Sequence, residues 1–350
     1  MVITDPGMER RPTWLDPFAA RFINDLRDVP FLFLSFKLTV LLFPFALMFF
    51  LADPFPWWAA VPYWALLGYY AAPYNLMLHN TSHRQLFKKK YAFANHYVGT
   101  VLGAFFGHTP EGYFTHHVGM HHPENNLPED LSSTMKHQRD SFTSFLRYYW
   151  NHISGVWYAL PRYLHRKKRF ALRNQVLAGM IAAYVLHAVL LYVNWRATLV
   201  TMTLPYFTIH FLMMAGNWGQ HAFVDLRTPE NCYRNSITCV NSLYNQRAFN
   251  DGYHIGHHLK ATRHWTEMPA EFLANRETYA REGAIVFHTI DFFPVWLFLM
   301  LGRWNWLAKY YVELDGKGRT QEEIVALLKS RVGRNAAPVT HMDGLLRTLP

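Results

Sequence analysis

Four apolar runs, arranged in two pairs, limit the folds open to this chain more than any other feature. Phe31 to Leu51 is interrupted only by Lys37, and Ala59 to Leu78 follows after the turn Asp53-Pro54-Phe55-Pro56-Trp57-Trp58. The second pair is Val176 to Val193 and Thr198 to Ala215, joined by Asn194-Trp195-Arg196-Ala197. About 20 residues of helix cross a bilayer core, so each pair reads as a membrane hairpin. Arg84, Lys88, Lys89 and Lys90 flank the open end of the first hairpin and avoid its short loop. The positive-inside rule then puts both open ends on the cytosolic face.

The expected fold is all-α and integral to the membrane, one domain over residues 1–350. Four transmembrane helices (31–51, 59–78, 176–193 and 198–215) form two hairpins. Residues 79–175 and 216–315 make a cytosolic helical cap, 316–350 form a C-terminal tail, and both termini are cytosolic. Ala92 to Gly107 is apolar but short and holds His96, which suits an interfacial or re-entrant segment rather than a span. Ala284 to Leu301 holds His288 and Asp291; an interfacial helix is preferred there over a fifth span.

Composition agrees with a few spans joined to a large polar section. Hydrophobic residues make up 51% and aromatics 17%, yet mean hydropathy is only −0.06. The charge of +10 comes from 34 Lys and Arg against 24 Asp and Glu. These cations cluster beside apolar runs, which favours anionic lipid headgroups over nucleic acid. The two cysteines, Cys232 and Cys239, make no disulfide or zinc framework and suit a reducing side. The polar start of the chain lacks the pattern of a removable signal peptide.

Twenty histidines are many for this length, and their positions carry the functional argument. His79 and His83 stand four apart at the end of the second run, on one helix face. In His116-His117-Val118-Gly119-Met120-His121-His122, the same spacing puts His117 and His121 on one face. His122, a quarter-turn away, can reach a second metal, and spacing does not decide between His116 and His117. Asn217 and His221 follow the fourth run, and His254, His257 and His258 lie in the last polar section. These clusters offer nine imidazoles, too many for one metal and reasonable for two, with Asn217 placed to hold a water. An all-nitrogen dinuclear site at a membrane face points to redox chemistry with O₂.

A single histidine inside or beside a membrane is most often a hydrogen-bonded packing residue. That reading suits His187 and His210, and covers His96, His108, His137, His152, His165, His288 and His341. It does not account for four clusters at one membrane edge. His264 follows the last cluster closely and, with His116, is a candidate to orient a ligand from behind.

These boxes resemble those of the membrane fatty acid desaturase superfamily: HxxxH at His79 and His83, HxxxHH at His117, His121 and His122, and HxxHH at His254, His257 and His258. The NxxxH element of its acyl-CoA desaturases is matched by Asn217 and His221. The resemblance covers about residues 35 to 270 and implies a di-iron centre, four spans, a cytosolic cap and an acyl tunnel. Two departures stand out. The second box has three residues between its histidines where many desaturases have two. The Thr262-Arg263 that follows the last box is similar to the membrane alkane hydroxylases. Desaturation, hydroxylation and decarboxylation of an acid to a terminal alkene therefore all remain open, with desaturation preferred.

Two iron ions would activate O₂ as co-substrate against an unactivated C–H bond of a fatty acyl or other lipid chain. The protein's part would be to hold the metals and to aim one methylene at them. Trp64, Tyr69, Phe207 and Phe211 could line the tunnel or simply face lipid. No HPGG haem segment, iron–sulfur cysteine set or GxGxxG fingerprint occurs, so no flavin, haem or NAD site is expected. Electrons would come from an external donor of the ferredoxin, rubredoxin or cytochrome b5 type. The run Arg166-Lys167-Lys168-Arg169 suits either lipid headgroups or an acidic donor. A metal transporter would place its ligands in mid-span. A zinc hydrolase would want fewer histidines and a carboxylate base.

Overall fold

A computed structural model describes residues 2–9 and 12–334. Arg10, Arg11, His341 and the tail beyond residue 334 lie outside the described residues.

The apolar runs fold as helices. Helix α1 spans Val29–Leu51 and α2 spans Ala60–His83. Helix α6 covers Phe170–Thr198, and α7 covers Leu204–Gln220 after a π-helical stretch at Leu199–Thr203. Asn194 breaks α6 with φ −156° and ψ 94°. Its Oδ1 accepts from the Ala197 amide at 3.1 Å, a capping contact that starts the second half of the hairpin. Its Nδ2 donates to the Phe49 carbonyl at 3.3 Å, which ties the two hairpin turns together.

Among the described residues, two helical stretches are long and apolar enough to cross a membrane: Leu26–Leu51 and Phe170–Gln220. The second is the broken hairpin. Helix α2 has 24 residues, but its last turns carry Asn75, His79, Asn80, Thr81, Ser82 and His83, and these lower its hydropathy. Ile181, Val185, Val189 and Tyr192 form an outward stripe on α6, exposed by 63%, 59%, 53% and 93%. Spacings of three and four residues put them on one face. Tyr69 and Phe207 also face outward, whereas Trp64 and Phe211 pack into the interior.

The polar sections carry the remaining elements. In chain order they contribute α3 (Gly112–His116), α4 (Phe142–Gly155) and α5 (Ala159–Arg166) before α6. After α7 come strand β1 (Ile237–Val240), α8 (His254–Leu259), strand β2 (Ile285–His288), α9 (Phe292–Met300) and α10 (Gln321–Ser330). The two strands pair in parallel, Ile237 opposite Ile285 and Val240 opposite His288.

That strand pair departs from the all-α expectation. It also replaces the single interfacial helix expected over Ala284 to Leu301. Ile285, Val286 and Phe287 are β-branched and aromatic residues, all buried, and fit a strand better than a helix surface. Asp291 then caps α9 by accepting from the Phe293 amide at 2.9 Å. Helix α9 lies flush on α7, and a Cβ on Gly219 would meet the Phe292 carbonyl oxygen at 2.3 Å. The chain start is tied down too: Asp5 accepts from the Tyr253 hydroxyl at 2.6 Å, one residue before α8.

Candidate metal centre

Four segments distant in sequence deliver nine imidazoles to one place. The end of α2 brings His79 and His83. The segment after α3 brings His117, His121 and His122. The exit of α7 brings His221, and α8 brings His254, His257 and His258. They sort into two adjacent groups. His79, His83, His117, His122 and His257 form one, and His121, His221, His254 and His258 form the other. Within each group the donor atoms lie within 4.8 Å of one another. The rings of His122 and His258, one from each group, are 5.2 Å apart.

The second box divides differently from the α-helical reading. His117 and His121, expected on one face, belong to different groups, and His117 is joined by His122. The cause is local backbone: His117–His121 is π-helical. A wider turn with i to i+5 hydrogen bonds brings the fifth residue onto the face that the fourth occupies in an α-helix.

The contacts inside the five-histidine group do not fit hydrogen bonding. Nε2 of His257 lies 2.9 Å from Nε2 of both His79 and His122. Nε2 of His117 lies 3.0 Å from that of His83 and 3.1 Å from that of His122. These four contacts link five nitrogens in a chain. A ring nitrogen offers in its plane either one N–H or one lone pair. Alternating donors and acceptors can therefore satisfy at most two of the four. A shared cation resolves the conflict. With metal–nitrogen bonds of about 2.1 Å, neighbouring donors at right angles stand about 3.0 Å apart and opposite ones about 4.2 Å. The observed spacings fit that pattern. The second group is similar, with Nε2 of His254 at 3.3 Å from that of His221 and 3.0 Å from that of His258.

Three of the outer nitrogens have partners that turn the inner ones toward the centre as lone pairs. His121 Nδ1 donates to the Asp130 carboxylate at 2.6 Å. His221 Nδ1 donates to the Asn235 carbonyl at 2.9 Å. His79 Nδ1 lies 3.5 Å from Asp251, a looser contact. Such partners fix the tautomer and raise the basicity of the ligand. Sequence reading missed all three. Asp130 and Asp251 carry no spacing signal, and Asn235 acts chiefly through its backbone carbonyl, with its Oδ1 at 3.1 Å.

Electrostatics point the same way. Burial first, and then the neighbouring rings, push His117, His254, His257 and His258 well below the usual imidazole range. The same causes bring His221 down to about 4. Burial would raise the Asp130 carboxyl, but His121 and the hydrogen bonds from His121 and the Ser132 amide hold it low. His117, His221, His254, His257 and His258 are thus held as neutral imidazole, the state that binds metal, and two buried carboxylates, Asp130 and Asp251, stand behind the centre.

A model of the fatty acid desaturase family matches residues 56–290, a span that contains all nine histidines. The chain belongs to the fatty acid desaturase family. A comparison with curated proteins found no match. Membership supports an oxidoreductase that modifies lipid at a membrane, and the two histidine groups support bound metal.

The remaining sequence candidates of this desaturase-family chain are placed as follows. Asn217 Nδ2 donates to the Tyr148 hydroxyl at 2.6 Å and to the Ser132 carbonyl at 3.1 Å. His116 stays outside both groups; its Nε2 is buried without a hydrogen-bond partner, 3.9 Å from Asp130. His264 sits in a separate cluster with Asp25 and Asp28 and bonds Asp28 at 3.0 Å. Arg27 and Arg84 reach Asp25 at 2.7 and 2.8 Å, so that cluster is an ion-pair network. In the basic run, Lys167 pairs with Glu124 and Glu129, and Arg166 pairs with Glu129. Arg169 donates to the Gly119 carbonyl. Much of this run therefore braces the segment that carries the second box.

Proposed function

We propose that this chain is an O₂-dependent di-iron membrane oxidase that acts on an unactivated C–H bond of a lipid chain, with desaturation as its reaction. The observation that carries the reading is the set of five Nε2 atoms linked by four contacts of 2.9–3.1 Å, which hydrogen bonds cannot satisfy. The all-imidazole donor set suits iron, and among the described residues the nearby carboxylates Asp130 and Asp251 are engaged with His121 and His79, which argues against the free base of a zinc hydrolase. His79, His83, His117, His122 and His257 would hold one ion. His121, His221, His254 and His258 would hold the other, with Asn217 reaching a bound water. When bound, the metals supply activation of O₂ strong enough to break an aliphatic C–H bond.

The rest of the chemistry belongs to the protein. Asp130 and Asn235 orient His121 and His221. Buried Tyr148 holds Asn217, and the apolar long helices keep water from the substrate chain. The four long helices would span the bilayer as two hairpins, with both termini and the folded cap on the cytosolic side. An external one-electron donor would supply reducing equivalents. Hydroxylation is the second reading, favoured by Thr262-Arg263 after the last box. The test is expression in a host without such enzymes, with profiling of lipids and hydrocarbons. A new unsaturated product that disappears in His257→Ala is expected. An alcohol product would shift the reaction to hydroxylation, and a product surviving His257→Ala would overturn the metal assignment.

A further inference from the structure

Four histidines outside the metal groups line one small cavity beside them. His108, His116, His152 and His210 enclose it with Tyr113 and Tyr206. Its volume is about 40 Å³, room for only a few water-sized groups at ~10–15 Å³ each. The Tyr113 ring stacks on His117 at 5.1 Å and meets His108 at 5.7 Å, so the cavity shares a wall with the metal centre.

Histidines used only for packing would be internally paired, and two of these four are not. His116 Nε2 and His152 Nδ1 are buried with no hydrogen-bond partner, and such groups are rare in a folded interior. The other two rings have defined tautomers. Asn75 donates through Nδ2 to the Ala71 carbonyl, so its Oδ1 accepts from His108 Nε2 at 2.8 Å. That leaves His108 Nδ1 a lone pair. His210 Nδ1 donates to the Tyr206 carbonyl at 2.7 Å, which leaves His210 Nε2 a lone pair. Among the described residues, no Lys or Arg lines the cavity. Acceptors without a cation favour a ligand that brings its own O–H and disfavour an ionised phosphate or sulfate.

We propose that this cavity seats the polar terminus of the substrate, a small hydroxyl-bearing group (a carboxylic acid or an alcohol) at the end of an unconjugated hydrocarbon chain. The proposal rests on the oxidase reading and deepens it. The chamber is far too small for a nucleotide or pantetheine carrier, so a terminus seated in it is a free acid or free alcohol. Its O–H donates to an imidazole lone pair, an acid doing so in its protonated form, and the Tyr206 hydroxyl, buried without a partner among the described residues in the wall of the cavity, can donate in return.

The test is equilibrium binding to the iron-loaded, full-length protein under anaerobic conditions. Matched fatty acids, 1-alkanols, alkanes and acyl-CoA thioesters of graded chain length are compared. The acid or the alcohol is expected to bind more tightly than its alkane by on the order of tenfold, the scale of one or two buried hydrogen bonds. Which of the two prevails identifies the terminus. Tyr206→Phe and His152→Phe should each reduce that preference, leaving alkane binding and iron content unchanged. Equal binding of acid, alcohol and alkane, a preference for the thioester, or variants that leave the preference intact would overturn the proposal. Iron content is read on the same samples, so a failed metal reading and a failed cavity reading give different results.

Discussion

Asp130→Asn tests how the centre is built. Asp130 is 1% exposed, and its Oδ2 accepts from His121 Nδ1 at 2.6 Å. Its Oδ1 accepts from the Ser132 amide and hydroxyl, each at 2.8 Å. Asparagine keeps the shape but removes the charge, and half of its polar atoms become donors. An oxygen facing His121 then puts the amide nitrogen against the two Ser132 donors. The reverse orientation turns an N–H toward His121 Nδ1 and favours the wrong tautomer. Loss of a partner behind a metal-bound histidine typically costs 10–100-fold in affinity, or about 1.4–2.8 kcal/mol. The loss should fall on the four-histidine group, because His121 belongs to it. Iron retained per chain is measured after dialysis against increasing chelator. The variant should lose one iron at a chelator concentration 10–100-fold lower than the parent, with the other iron released as in the parent. Asp251→Asn should cost less, because Asp251 stands 3.5 Å from His79. If Asp130→Asn holds both ions as firmly as the parent, the role given to this carboxylate is wrong.

Three further outcomes are expected. His257→Ala removes the nitrogen that lies 2.9 Å from two other donors and should reduce product formation at least about a hundredfold, read as product per unit of folded protein. The chelator-stripped protein should lose stability as pH falls below 6.5. Unfolded imidazoles take up protons there, while burial keeps His117, His254, His257 and His258 neutral in the native state and holds His116 and His221 down to about 4. The sign follows because the unfolded state binds more protons; a thermal midpoint should be flat above pH 7 and fall between about pH 6.5 and 4. Gly219→Ala should destabilise by about 1–3 kcal/mol, because its Cβ would meet the rigid Phe292 carbonyl at 2.3 Å and force α7 from α9; chemical unfolding of purified protein checks this.

The sequence made the long helices and the nine histidines legible for one reason: both are written in local spacing. Apolar runs declare helices by length, and paired histidines three or four apart declare a shared helix face. What depends on distant partners was not legible. The parallel pairing of Ile237 with Ile285 joins segments far apart in the chain, and Ala284 to Leu301 alone read as one apolar helix. The division of His117 from His121 depends on a π-helical turn that no spacing rule reveals. Asp130 and Asn235 look like ordinary loop polar residues until the fold brings them behind His121 and His221. His108, His152 and His210 read as packing residues one at a time, and their convergence on one cavity is visible only in the fold.

The central claim is tested most directly by the metal content of the purified, full-length protein together with the spectroscopic signature of that metal. About two iron ions per chain, coupled to each other and ligated by nitrogen, are expected, with one lost on Asp130→Asn under chelator. A single ion per chain, or zinc alone with activity indifferent to iron, would contradict the account.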